Sequence, residues 1–112
     1  MTLHADMRTE NRYLVGAAEL VMMRRTAVLV NAARGALVDE RALVHVLQTR
    51  RLGGAALDVF EHEPLAEDSA LRRMPNNYLA PHNANASRSA GERVHRSCID
   101  NVLKVLSSTN HR

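Results

Sequence analysis

The chain has 112 residues, 46% hydrophobic and 24% charged, a composition suited to one compact domain with its own core. Its net charge of +3 comes from 15 basic and 12 acidic side chains mixed along the length. With no run of like charge and only 3% aromatics to interleave with it, the pattern argues against a nucleic-acid partner.

No apolar run of about 18 residues suggests a membrane span. A single cysteine, Cys98, leaves no internal disulfide and no cysteine-rich zinc site. The N-terminus lacks the basic, apolar and small-residue order of a signal peptide, so a cytoplasmic protein is expected. Lys104 is the one lysine, and the pairs Arg24-Arg25, Arg50-Arg51 and Arg72-Arg73 fall near expected helix ends, where cations complement the dipole.

In chain order, Thr2-Leu3-His4 reads as the end of a strand. Gly16 to Met23 reads as a short helix with Leu20, Val21 and Met23 as its apolar contacts. Ala27 to Asn31 is a short, continuous, β-branched-rich run, the pattern of a strand buried on both faces. Asp39 is placed to cap a helix whose Ala42, Leu43, Val46 and Leu47 share one face, and Gly53-Gly54 is expected to end it. Ala55 to Val59 forms the next strand. Glu61 to Met74 is loop with about one helical turn, and Asn77 to Ala80 is a last short strand stopped by Pro81. Ser89 and Glu92 have capping-box spacing for a long final helix striped with Val94, Cys98, Val102 and Leu106, which would make Cys98 an inert core thiol.

The alternation predicts an α/β fold. The expected form is a partial Rossmann-like parallel sheet of about four strands with helices on both faces, and such sheets bind ligands beyond the carboxyl ends of their strands. Three polar clusters stand at those ends: Asn31 to Gly35, Asp58 to Pro64, and Pro81 to Asn85. Singly, Arg34, Asp58 and His82 each suit a solvated or capping role. Together, a guanidinium, a carboxylate and an imidazole at successive strand ends suit redox chemistry at a carbinol carbon. A histidine can deliver a proton to a carbonyl oxygen, a neighbouring carboxylate can fix its tautomer, and an arginine can fork onto a substrate carboxylate. Glu61 and His62 read as solvated loop residues. A metal site from Glu61, His62 and Glu63 is disfavoured because sequence neighbours rarely converge on one ion.

The segments Leu29-Val30-Asn31-Ala32-Ala33-Arg34-Gly35-Ala36-Leu37-Val38-Asp39, Gly53 to Phe60 with Glu63-Pro64-Leu65, and Ala80-Pro81-His82-Asn83-Ala84 stand in one order across most of the chain. In that order they resemble the D-isomer-specific 2-hydroxyacid dehydrogenase family, in the C-terminal half of its NAD-binding domain. The resemblance implies that Arg34 binds substrate, His82 is the general acid/base and Glu63 tunes His82. It also implies that His4, Ala32, Ala33, Arg34, Asp58, His82, Asn83 and Ala84 line a site for NAD or NADP. The implied substrate is a 2-hydroxy or 2-keto acid.

The sequence departs from the family pattern: the acidic residue for the adenosine ribose is missing, and the segment His4-Ala5-Asp6-Met7-Arg8-Thr9 differs where the family commonly has Pro and Thr. None of the five glycines makes the Gly-x-Gly-x-x-Gly turn that cradles a pyrophosphate, and Ala84-Asn85 stands where the family has a glycine-rich pair. Residues 1–112 are therefore expected to form a partial NAD-binding domain, with the Gly-rich half and the substrate domain absent. Such a chain would be a fragment, one part of a split enzyme, or a non-catalytic binding module. An uncovered first strand and apolar helix stripe would favour self-association or a partner chain.

Overall fold

The computed structural model describes residues 1–109 and has two compact units, Met1–His82 and Asn83–Arg112. The first is a four-stranded parallel sheet in the order β1 (Thr2–Leu3), β2 (Val28–Asn31), β3 (Gly54–Leu57), β4 (Asn77–Leu79). Helix α1 (Ala17–Met22) connects β1 to β2, and α2 (Glu40–Gln48) connects β2 to β3. Single 3-10 turns at Thr9–Asn11, Gly35–Leu37 and Ala70–Arg73 complete the unit.

Register assigns the faces. Leu29 pairs with Ala55 and Asn31 with Leu57, while Ala55 and Leu57 pair with Asn77 and Leu79, so these residues share one side of the sheet. That side carries the core: Leu29, Ala55 and Leu57 join Leu20 of α1 and Leu43, Val46 and Leu47 of α2. Each such leucine contributes about 2 kcal/mol through burial.

The opposite side shows Val28 at 46% exposure, Val30 at 37% and Tyr78 at 75%. The second strand therefore alternates instead of being buried throughout. Within this unit the two helices lie on one face. Val21, expected as a contact of α1, is 49% exposed, whereas Met23 packs against the core.

Local signals explain the element ends. Glu19 reaches back to accept the Gly16 amide at 2.9 Å, and Asp39 accepts the Ala42 amide at 2.9 Å as the cap of α2. Helix α2 ends before the glycine pair: Arg50 takes a left-handed φ of 51°, and the Arg51 and Leu52 amides return to the Val46 carbonyl. Gly53 serves a different purpose, since a Cβ there would lie 2.9 Å from the Ala27 carbonyl oxygen. Gly54 opens β3.

In the second unit α3 spans Arg88–Thr109. Its start differs from the expected capping box: Ser87 Oγ accepts the Ala90 amide at 3.2 Å, and Glu92 pairs with Arg88 at 3.2 Å. Val94, Val102 and Leu106 are each more than half exposed, and Cys98 is exposed rather than in a core. Among the described residues no helix is long and apolar enough to cross a membrane.

Candidate active site at the carboxyl ends of the strands

Because all four strands run parallel, the segments that leave them begin at one edge of the sheet. The turn after β2 is built by Asn31, which is 1% exposed. Its side-chain amide donates to the Arg34 carbonyl at 2.9 Å, and its Oδ1 accepts the Ala33 amide at 3.1 Å. This Asx-type closure presents Arg34, whose Nη1 donates to the Ala33 carbonyl at 2.7 Å. Gly35 then lies against the next loop so closely that a Cβ would fall 1.9 Å from the Phe60 carbonyl carbon and 2.5 Å from the Glu61 nitrogen. Only glycine fits there.

After β3 the chain passes through Asp58, 7% exposed, whose amide donates to the Asn31 carbonyl at 2.9 Å. Glu63 divides its carboxylate between two donors: Oε1 accepts the Phe60 amide at 2.9 Å, and Oε2 lies 2.7 Å from His82 Nδ1. The hydrogen bond with His82, and next the Phe60 amide, hold the Glu63 carboxyl below its ordinary pKa. His82 follows β4 with a left-handed φ of 55°, an uncommon conformation for a residue other than glycine.

Arg34, Glu63 and His82 line one cleft of about 300 Å³ together with Met7, Phe60 and Glu61. The His82–Glu63 pair also borders a cleft of about 520 Å³ that includes Leu65, Arg72 and Leu79. His4, Ala32, Ala33 and Arg34 line a third hollow of about 390 Å³ with Asp6 and Met7, and His4 Nε2 lies 3.1 Å from Thr2 Oγ1. Asn83 and Ala84 belong to the second unit, where the Asn83 carbonyl accepts the Ala86 amide at 2.9 Å.

One assignment changes. Glu61 is no solvated loop residue: its side chain is 17% exposed and lies 3.8 Å from Arg12 Nη2. The Tyr13 phenol, which accepts from Arg12 Nη2 at 2.8 Å, hydrogen-bonds the Glu61 carboxylate, and that bond raises the Tyr13 pKa above its usual value. Glu61 and Glu63 thus face different partners, Arg12 and His82, and do not converge as metal ligands would. No local signal links Arg12 to Glu61. The Asn31 turn did have one, an Asn at a strand end three residues before Arg-Gly.

The family profile described as "D-isomer specific 2-hydroxyacid dehydrogenase, NAD binding domain" matches residues 1–84. The (S)-sulfolactate dehydrogenase of Chromohalobacter salexigens is 41% identical over 106 residues, covering 95% of this chain and 34% of that protein. The glyoxylate reductase of Aeropyrum pernix is 42% identical over 103 residues, 92% of this chain and 31% of that protein. The NAD-complexed D-isomer specific 2-hydroxyacid dehydrogenase from Lactobacillus delbrueckii ssp. bulgaricus superposes with a TM-score of 0.82 at 28% identity, covering 96% of this chain and 36% of that one. The chain thus spans about a third of the length of these relatives.

Proposed function

The chain belongs to the D-isomer specific 2-hydroxyacid dehydrogenase family, and from that membership we propose that it carries the acid/base half of a nicotinamide-dependent oxidoreductase acting on a 2-hydroxy or 2-keto acid. The observation that carries this reading is the 2.7 Å contact between His82 and Glu63 in a cleft also lined by Arg34. Glu63 ties up Nδ1, which leaves Nε2 as the nitrogen for a substrate oxygen. His82 would give a proton to the carbonyl oxygen during reduction and take it from the hydroxyl during oxidation. Glu63, kept ionised by the His82 hydrogen bond and next by the Phe60 amide, orients the ring and balances the imidazolium charge. Arg34 has guanidinium nitrogens beyond the one resting on Ala33 with which to fork onto the substrate carboxylate.

The cofactor fits in part. The hollow formed by His4, Ala32, Ala33 and Arg34 has small side chains beside the strand ends, and Asp58 is buried at the end of β3, which suits the nicotinamide end. When bound, NAD or NADP supplies or accepts the hydride. The 112 residues contain no glycine-rich turn for the pyrophosphate, so residues 1–112 correspond to the C-terminal half of the binding domain. The exposed Val28, Val30 and Tyr78 face and the outermost strand β1 support self-association or a partner chain that supplies further contacts. We assign the protein to the cytoplasm, where NAD and NADP are free in solution.

The test is a titration of the chain with NADH, read by cofactor fluorescence, followed by glyoxylate-dependent NADH consumption. Binding with turnover that His82→Ala abolishes supports the reading. Turnover surviving in His82→Ala overturns the assignment of His82. Binding without turnover favours the binding-module alternative, and no binding at millimolar NADH rejects both.

A further inference from the structure

Arg34 and Glu61 stand on loops that touch, through Gly35 packed against the Phe60–Glu61 peptide, and both residues line the same cleft. A guanidinium and a carboxylate so placed would ordinarily form a forked pair. Here they do not: Arg34 takes part in no ion pair among the described residues and rests on the Ala33 carbonyl. Glu61 is engaged instead by Arg12 at 3.8 Å and by the Tyr13 phenol.

The Arg12–Tyr13 segment is held in place at some conformational expense. Tyr13 takes a left-handed φ of 55°, which is unfavourable for a bulky residue. Its amide donates to the Ala36 carbonyl at 2.9 Å, beside the Arg34 turn, and the Arg12 guanidinium lies 4.5 Å above its ring. A second carboxylate is close as well, since Glu40 Oε2 accepts the Glu61 amide at 3.1 Å. A Glu61 deprived of Arg12 would therefore be mostly buried, near another anion, and in need of a cation.

We infer that Arg12 is a positioning residue that holds Glu61 away from Arg34, so that the Arg34 guanidinium stays open to an anionic ligand. Among the residues lining that cleft, Arg34 is the one arginine and so the replacement cation. Losing Arg12 would let Glu61 occupy the place of a substrate carboxylate. The consequence for substrate rests on the proposed role of Arg34, but the exchange of partners does not.

The experiment uses the full chain and records the NMR signal of the Arg34 Nε–H, assigned with Arg34→Lys. Arg12→Gln should shift that signal and slow its exchange with water. The double variant Arg12→Gln/Glu61→Gln should return it to the wild-type position, and Arg12→Lys should leave it unmoved because the countercharge is kept. A titration with oxamate, a stable 2-keto acid analogue, should show several-fold weaker binding in Arg12→Gln and recovery in the double variant. An Arg34 signal unchanged in Arg12→Gln, or changed equally in the double variant, overturns the inference. Wild-type chain that ignores oxamate while the Arg34 signal behaves as described counts against the proposed function and leaves the inference standing.

Discussion

His82 Nδ1 lies 2.7 Å from Glu63 Oε2 although the two residues are nineteen positions apart. The contact exists because β3 and β4 run side by side and in parallel, so that the segments following them start at the same edge. Glu63 is also fixed from behind by the Phe60 amide, and the pair is therefore oriented before any ligand arrives.

That arrangement sets a pH dependence. The folded Glu63 carboxyl has its pKa lowered, first by the His82 hydrogen bond and then by the Phe60 amide. A depressed folded pKa contributes stability above the unfolded carboxylate pKa of about 4.3, and that contribution disappears as pH falls through the lower folded value. Urea unfolding should show wild type more stable than Glu63→Gln near neutrality, with the gap closing on acidification. A gap independent of pH would contradict the linkage.

Tyr13 gives the opposite sign. Its hydrogen bond to Glu61, followed by desolvation and the Glu61 charge, raises its pKa. In a Tyr78→Phe background, an ultraviolet titration reports Tyr13 alone. Adding Glu61→Gln should lower its midpoint, because the anionic acceptor that favours the neutral phenol is gone. No movement would place Glu61 away from the phenol.

Gly35→Ala should be strongly destabilising. Its Cβ would meet the Phe60 carbonyl at 1.9 Å, and the atoms in the way are backbone, which cannot rotate aside. The expected loss is about 3 kcal/mol or more in denaturant unfolding. A variant as stable as wild type would mean that the Arg34 and Phe60 loops are not in contact.

Asn31→Ala should cost about 1–3 kcal/mol by removing the partners of the Ala33 amide and the Arg34 carbonyl. Asn31→Asp separates the two bonds: it keeps an acceptor for the Ala33 amide and loses the donor to Arg34. Hydrogen exchange at Ala33 should therefore be fast in Asn31→Ala and remain slow in Asn31→Asp. Equal protection in all three proteins would remove Asn31 from the turn.

The one-sided sheet can be tested by adjacent residues. Leu29, at 0% exposure, should cost about 2–5 kcal/mol when changed to Ala. Val28→Thr, on the face where Val28 is 46% exposed, should stay within about 0.5 kcal/mol of wild type. A large loss at Val28 in solution would reveal that this face is covered, as self-association or a partner chain would do.

The order of strands and helices, the Asp39 cap and the meeting of Arg34, Glu63 and His82 beyond the strand ends were all readable from the chain itself. These depend on short-range facts: the period of apolar residues, the turn formers between them, and the rule that parallel strands expose their following loops together. What tertiary structure alone decided involves residues far apart in sequence. Arg12 and Glu61 are paired although far apart in the chain, Gly35 is pressed on the Phe60 peptide, and Gly53 serves the approach to Ala27 and not the end of α2. Whether Val28 and Val30 are covered was beyond the reach of composition as well, since a run of apolar residues records the propensity to form a strand and leaves open which of its faces meets a helix.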